Sequence, residues 1–458
     1  VTAADFSHDQ AGTCEPAWLG AAQWHDVAGV DVLALAGCHE VVVLSAHPDD
    51  ETLGVGGLVA ALAQAGADTS VVVATAGEAS HPGSRSWSRE ALAGVRSREV
   101  ERAVRVLDPR APVHHLGLPD GGLTGRRDAL LAELVDRVRP ESLVVAPWVA
   151  DGHPDHDVLG SAAREVGRKV GASVVHYPLW LWHWGGPADL PWRSVRVVEP
   201  GVRALGAKRR ALDEFPSQTA PLGPGTEHAP VVTEPVLRRA RRPFEVLLDP
   251  DGALPLHPHR THEGAAAVFD AMFDDGPDPW RVLSSRYEER RRDLALSVLR
   301  RRHHPRVLEL GCSTGVLTSR LAEVAGSVTA VDASARALQV ARRIVPTGVT
   351  WVHGAVPEAV PPGPFDLVVL SELGYFLTPL ELVRTLAAVR RSLAHDGEVL
   401  LVHWQHPTRE IPLDGRLVHE LAGSVLEDLG HVARYRDADV ALDLWGGPTS
   451  LAAQEGRG

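Results

Sequence analysis

The sequence predicts an α/β protein built from two Rossmann-like, doubly wound domains with mostly parallel sheets. Short continuous apolar runs alternate with longer amphipathic stretches, the pattern of strands and covering helices. Two histidine- and aspartate-rich clusters each follow such a run and precede a helix. The alternation breaks near the middle of the chain and then starts afresh. The length, 458 residues, suits two or three domains at roughly 150 residues each.

The elements follow in order. Residues 40–46 (EVVVLSA) are a strand-length apolar run, followed by the polar turn 47–52 and a helix over 53–66. Acidic residues ahead of a helix suit its unpaired N–H groups and positive end. Residues 70–75 read as a second strand, 89–107 and 129–138 as helices, and 142–146 as a buried-type strand. That strand runs into Asp151-Gly152-His153-Pro154-Asp155-His156-Asp157 and a helix to about residue 169. From 217 to about 279 repeated prolines, among them Pro221, Pro224, Pro230, Pro235 and Pro243, interrupt the pattern. Apart from a β segment at 244–248, this stretch reads as loop-rich. A helix over 287–301, strands at 306–310, 327–331, 349–353, 365–370 and 398–403, and a helix at 316–325 complete a second α/β unit. The expected division is a first domain over 1–249, a linker over 250–279 and a second domain over 280–458.

Lys plus Arg number 46 against 59 Asp plus Glu, a formal net charge of −13. That balance argues against a binder of duplex nucleic acid or anionic membrane, which needs a basic surface. The three cysteines, Cys14, Cys38 and Cys312, imply no disulfide framework and no CxxC metal pair. No apolar run reaches the ~18 residues that span a bilayer, and no secretion signal is evident. A reducing cytoplasm and a small-molecule partner are the expectation, with the oligomeric state open.

In an open parallel sheet the loops at the carboxyl ends of the strands converge on one crevice. His47 and Asp50 from the first cluster are thus expected to meet His156 from the second. Two imidazoles and a carboxylate suit zinc or another divalent metal, with positions left open for water, as in a catalytic site. Asp49, beside a ligand, is placed to accept a proton from water, and His153 to stabilise an oxyanion. Asp155 is placed to orient His153. This describes metal-assisted amide hydrolysis. A lone HPD segment is also what a turn with a helix-capping Asp looks like; its recurrence in the same context favours a metal site. His47 and Asp49 with a distant His156 also imitate the facial triad of non-haem Fe(II) oxygenases, but the helices after both clusters speak against that β-rich fold.

The motifs AHPDDE (46–51) and HPDH (153–156) resemble those of the PIG-L-type (LmbE-like) zinc N-deacetylases. The resemblance extends over roughly 41–218, through Thr75-Ala76-Gly77-Glu78, Arg96-Ser97-Arg98-Glu99, Leu118-Pro119-Asp120-Gly121 and Ser217-Gln218. It implies zinc on His47, Asp50 and His156, Asp49 as general base and His153 as oxyanion stabiliser. Arg96 and Asp120 would contact substrate or brace the loops. The implied substrates are N-acylated amino sugars, free or conjugated.

In the second half, Glu309-Leu310-Gly311-Cys312-Ser313-Thr314-Gly315 runs from a strand into a glycine-containing turn, and the next strand ends at Asp332. Glycine lets backbone approach a ligand, and an acidic residue one βαβ step on can accept ribose hydroxyls. The spacing lacks the third glycine of the nicotinamide fingerprint. It resembles the S-adenosylmethionine loop of class I methyltransferases, which implies cofactor contacts from Glu309, Gly311, Ser313, Gly315 and Asp332. Ser313 stands where many such loops have Gly, and Ala355 near where an acidic adenine contact is common, leaving that role to backbone groups or to neighbours such as His353. Around it, Tyr287-Glu288, Ser371-Glu372-Leu373-Gly374-Tyr375-Phe376 and His403-Trp404-Gln405-His406-Pro407 resemble the nodulation-factor N-methyltransferase group. By that resemblance Glu372, Tyr375, His403 and His406 are candidates to contact an acceptor amine. The expected function is hydrolysis of an N-acyl amide followed by methylation of the freed amine. The alternative is that the second half methylates a separate O-, C- or N-acceptor, or serves only as a binding module.

Overall fold

The strand Val41–Ser45 sends alternate side chains to opposite faces of its sheet. Val41 and Val43 join an apolar cluster with Leu58, Val100 and Val104, while Val42 and Leu44 join another with Leu130, Leu159 and Val166. Both faces are covered, which is why this strand reads as an unbroken apolar run rather than an alternating one. The computed structural model describes residues 12–37, 40–257, 262–274, 276–345, 347–406, 412–447, 450–454 and 456–457. Cys38 and Pro407 lie outside them.

The chain divides into two compact units, Asp26–Pro258 with the N-terminal residues up to Trp18, and His259–Gly458 with Leu19–His25. The first unit carries the strands β1 (Ala28–Gly29), β2 (Val41–Ser45), β3 (Thr69–Thr75), β4 (Val113–Leu118), β5 (Leu143–Pro147), β6 (Ser173–Tyr177), β7 (Val195–Val198) and β8 (Glu245–Leu248). They form one sheet in the order β1-β7-β8-β6-β5-β2-β3-β4. β6, β5, β2, β3 and β4 pair in parallel, and β8 runs antiparallel to both its neighbours. The loops after β5, β2, β3 and β4 therefore leave from one edge, side by side.

The helix Asp50–Gln64 begins three residues earlier than the sequence pattern suggested, so Asp50 lies in its first turn. It is interrupted at Val55, where φ is −138° and ψ 20°. A buried ion pair splints the break. Glu245 accepts the N–H groups of Gly57 and Leu58 at 2.7 Å each, while Lys208 Nζ donates to Leu53 O at 3.0 Å and to Glu245 at 2.6 Å. The carboxylate sits on orphan donors and the ammonium on an orphan carbonyl, as at two ordinary helix ends.

The second unit carries β9 (His304–Leu310), β10 (Ala325–Asp332), β11 (Val349–His353), β12 (Phe365–Ser371), β13 (Leu393–Trp404), β14 (His431–Arg436) and β15 (Val440–Trp445). Their order is β11-β10-β9-β12-β13-β15-β14, parallel except for the β14–β15 hairpin on one side. A helix over His262–Ala271 stands in the stretch read as loop-rich. The run Ala265-Ala266-Ala267 has the highest helix propensity of any residue type and outweighs the flanking prolines. Among the described residues no helix is long and apolar enough to cross a membrane.

Candidate metal centre and cofactor loop

β2 and β5 are hydrogen-bonded neighbours, with Val41 opposite Leu143, so the turns that follow them meet. His47 comes from the first turn, His153 caps the helix Pro154–Val170, and His156 lies in that helix's first turn. One ring nitrogen from each of these three histidines lies within 4.8 Å of the others. Asp50 joins them: its Oδ2 stands 3.5 Å from His47 Nδ1 and 3.3 Å from His156 Nε2. His47, Asp50 and His156, separated by up to 109 residues in sequence, are thereby brought to one point.

The hydrogen bonds choose the ring atoms. His156 Nδ1 pairs with Asp151 Oδ2 at 2.8 Å, and its Nε2 is buried without a hydrogen-bond partner. His47 Nε2 faces Asp120 Oδ1 at 3.2 Å and Asp155 Oδ2 at 3.4 Å, leaving Nδ1 towards Asp50. Each imidazole thus has a carboxylate behind it and a nitrogen in front, the arrangement in which metal-binding histidines are held. Burial opposes charge on His47, but its hydrogen bonds to Asp120, Asp155 and Asp50 outweigh that, and its pKa stands well above the ordinary value. Burial likewise opposes charge on His156, but the Asp50 charge and the Asp151 hydrogen bond raise it to about 9. The site attracts positive charge between its imidazoles, and this donor set fits a divalent ion.

Asp151 was not singled out in the sequence. Besides His156, it accepts the backbone N–H groups of Leu179, Trp180 and Leu181 at 2.8–3.0 Å. Three amide donors and the His156 ring fix this carboxylate in a site with no exposed surface. Its only sequence signal is its place two residues before His153.

Asp49 has φ 132°, an uncommon backbone state for a residue with a side chain. Its carboxylate makes no capping bond at the helix it precedes, which goes against the alternative of a simple turn with a helix-capping Asp. It faces Arg96 Nη2 at 3.2 Å instead. Burial pushes Asp49 up to about 8, the Arg96 charge only partly opposing it. Arg96, a candidate for substrate contact, is 4% exposed and donates to Gly77 O and Pro48 O at 2.8 Å each. It braces two loops beneath Asp49. A Cβ at residue 77 would lie 2.0 Å from Arg96 Nη1, so Gly77, with φ 64°, is the residue that admits this brace.

Asp155 corrects another expectation. Its carboxylate accepts Gly121 N–H at 2.8 Å and Leu123 N–H at 3.2 Å and faces His47. His153 is met by the Asp155 backbone instead, whose N–H donates to His153 Nδ1 at 3.2 Å. The neutral ring's proton is then on Nε2. Burial, with the charges of His47 and His156, lowers the His153 pKa to about 2. Asp120, the other candidate for substrate contact, accepts Ala79 N–H at 2.7 Å and partners His47.

In the second unit β10, β9, β12 and β13 are consecutive parallel neighbours, so Asp332, the turn after Leu310, Glu372 and His403 gather at one sheet edge. Gly311 and Gly315 have φ 73° and 78°, and a Cβ at Gly315 would come 2.9 Å from the Ala341 Cβ. Ser313 occupies the same left-handed region at φ 48°, where a side chain costs roughly 1–2 kcal/mol. Its N–H donates to Asp332 Oδ2 at 2.7 Å, and Ser334 N–H donates to Oδ1 at 2.8 Å. Each Asp332 oxygen keeps a second lone pair for hydroxyl donors. Ser313 Oγ and Thr314 Oγ1 are buried without hydrogen-bond partners, which fits a polar ligand seated on this loop. Glu309 accepts Thr318 Oγ1–H at 2.6 Å, and burial raises it to about 8. His353 faces Ala333 O at 3.0 Å.

The residues expected to contact an acceptor are more interlocked than their spacing suggested. Glu372, at φ 58°, accepts Trp404 N–H at 2.8 Å and the Tyr375 hydroxyl at 2.5 Å, with Arg291 Nε 4.0 Å away. Tyr287 Oη, close by, is buried without a partner. His406 is exposed and pairs with Asp439 at 2.7 Å. His403 does not fit the role of amine contact: it has no exposed surface and both ring nitrogens are engaged.

With this geometry in hand, comparison with known proteins finds two family matches. Residues 42–166 match the family described as GlcNAc-PI de-N-acetylase, PIG-L, and residues 271–404 the family described as Nodulation protein S, NodS. Over 212 residues the chain is 26% identical to a 1D-myo-inositol 2-acetamido-2-deoxy-alpha-D-glucopyranoside deacetylase of Rhodococcus erythropolis, covering 40% of this chain and 68% of that protein. A protein of the same description from Kineococcus radiotolerans is 32% identical, covering 47% of this chain and 59% of its own length. Nodulation protein S of Rhizobium tropici is 29% identical over 31% of this chain and 60% of its own length. Among solved structures, N-methyltransferase NodS from Bradyrhizobium japonicum in complex with S-adenosyl-L-homocysteine is 22% identical. It covers 40% of this chain and 98% of that one, with a TM-score of 0.36. The chain thus joins a PIG-L deacetylase domain to a NodS methyltransferase domain.

Proposed function

We propose that this chain, with its PIG-L domain and its NodS domain, is a bifunctional enzyme. In this reading it removes an N-acetyl group from an amino-sugar conjugate and then methylates the freed amine from S-adenosylmethionine. The observation that carries the first half is the His156 imidazole: Nδ1 is held by Asp151 and Nε2 is left bare beside Asp50 and His47.

His47, Asp50 and His156 hold a divalent metal, zinc in this reading. When bound, that ion polarises the amide carbonyl and makes water a better nucleophile near neutral pH. Asp49 takes the proton from water: burial has raised its affinity for one, and Arg96 fixes where its carboxylate stands. His153, with Nδ1 occupied by the Asp155 N–H, offers Nε2–H to the carbonyl oxygen as negative charge grows there. Asp120 and Asp155 steady His47, and Asp151 steadies His156.

In the second unit Asp332 accepts the ribose hydroxyls, and Ser313 and Thr314 turn their unpaired hydroxyls to the cofactor. S-adenosylmethionine supplies the electrophilic methyl. An amine attacks it only when neutral, so the protein's part is to hold the amine in line and beside an acceptor for its proton. Glu372 and Tyr375 line that side.

Mass spectrometry of products from a panel of N-acetylated amino sugars and their conjugates tests this reading. Without S-adenosylmethionine the product is the free amine; with it, the methylamine. A methyl group on oxygen or carbon, or hydrolysis absent across the panel, contradicts it.

A further inference from the structure

We infer that His419 and Asp443 are positioning residues for the acceptor side of the second unit, acting through a buried hydrogen-bond relay that ends on the Gly374 amide. Gly374 N–H donates to His403 Nε2 at 3.0 Å. A backbone N–H has nothing to accept with, so Nε2 is the bare nitrogen and the proton of the neutral ring sits on Nδ1. His403 Nδ1 lies 3.1 Å from His419 Nε2, and His419 Nδ1 lies 2.5 Å from Asp443 Oδ2. Only one order of protons satisfies every contact. Asp443 accepts from His419 Nδ1–H, His419 Nε2 accepts from His403 Nδ1–H, and His403 Nε2 accepts from Gly374 N–H.

The relay is anchored at its far end. Asp443 has no exposed surface and also takes His431 Nε2 at 2.6 Å, Arg434 Nε at 3.0 Å and Arg436. Four donors on one buried carboxylate keep it ionised and acceptor-only, which sets the direction of every bond after it. Two features make the near end matter. Gly374 opens the short helical turn Gly374–Phe376 that carries Tyr375, whose hydroxyl holds Glu372. The site is also tight there: a Cβ at Gly374 would meet His403 Nε2 at 3.0 Å and Val418 at 2.5 Å. The turn that presents Glu372 and Tyr375 is therefore set from behind by a tautomer chosen at Asp443. Its relevance to methyl transfer rests on the reading given above; the order of the protons does not.

Two measurements on the full chain test the relay without turnover. The first is hydrogen exchange by mass spectrometry in His419→Phe, which keeps a ring and removes both nitrogens. The relay predicts roughly tenfold faster exchange across residues 371–377, with the cofactor-loop helix Val316–Glu323 unchanged. A folded variant with unchanged exchange at 371–377 overturns it, because a histidine that only fills space is replaced well enough by Phe. The second needs no variant. In wild-type protein labelled with nitrogen-15 histidine, the His403 resonances should show a protonated Nδ1 and a bare Nε2; a protonated Nε2 overturns the relay. Should the methyltransferase reading fail, that would show separately, as absent methyl transfer with both results intact.

Discussion

Asp151 Oδ2 lies 2.8 Å from His156 Nδ1, and this single contact decides which nitrogen of His156 faces Asp50. A carboxylate behind a ligand imidazole fixes its tautomer and strengthens it as a donor. Asp151→Asn should therefore weaken metal binding by roughly 10–100-fold, measured by competition with a coloured chelator. Unchanged affinity would remove Asp151 from the centre.

In the proposed reading, the role of Asp49 separates from that of the ligands His47, Asp50 and His156. Asp49→Asn keeps the shape and the neighbouring Asp50, so metal content should match wild type. Hydrolysis should fall by roughly 10²–10⁴-fold, the usual contribution of a positioned base. Retained hydrolysis in the metal-loaded variant would assign proton transfer elsewhere.

Arg96 bears on stability as well as activity. Its guanidinium ties Gly77 O, Pro48 O and the Asp49 carboxylate together in a buried site. Arg96→Ala leaves the Gly77 and Pro48 carbonyls without their buried donor, which costs about 1–3 kcal/mol for each unsatisfied group. Urea unfolding of the variant measures this directly; a loss under about 1 kcal/mol would mean the brace contributes as little as a surface pair.

Glu309 gives a pH dependence of known sign. Burial raises its pKa from 4.5 to about 8 in the folded state. Across that window the unfolded chain releases the proton first, so stability falls as pH rises from about 4.5 towards 8 and levels off above it. Glu309→Gln lacks this proton while keeping an acceptor for Thr318. Its melting temperature should exceed the wild type's by a margin that grows with pH through that window. A margin that shrinks with pH would contradict the assignment.

Much of this was legible from the sequence, for reasons that also explain what was missed. Val41–Ser45 is buried on both faces and so announces itself as an apolar run. Val113–Leu118 and His431–Arg436 lie at sheet edges with mixed burial, and their histidines and arginines hide the strand pattern. His47, Asp50 and His156 stood out because strand-end turns in a parallel sheet collect ligands. Asp151 did not, since its role depends on amides at residues 179–181, nearly thirty positions on. His403 was a candidate for amine contact because residues 403–407 resemble the nodulation-factor N-methyltransferase group. Its partners His419 and Asp443, which show it faces inward, come from a helix and a strand that periodicity alone does not bring together.

The metal content of the purified full chain, by elemental analysis, bears most directly on the account. One divalent ion per chain is predicted, lost in His47→Ala and in His156→Ala, with hydrolysis of N-acetylated amino sugars returning when zinc is restored to stripped wild-type protein. A preparation that is fully active and free of metal would contradict it.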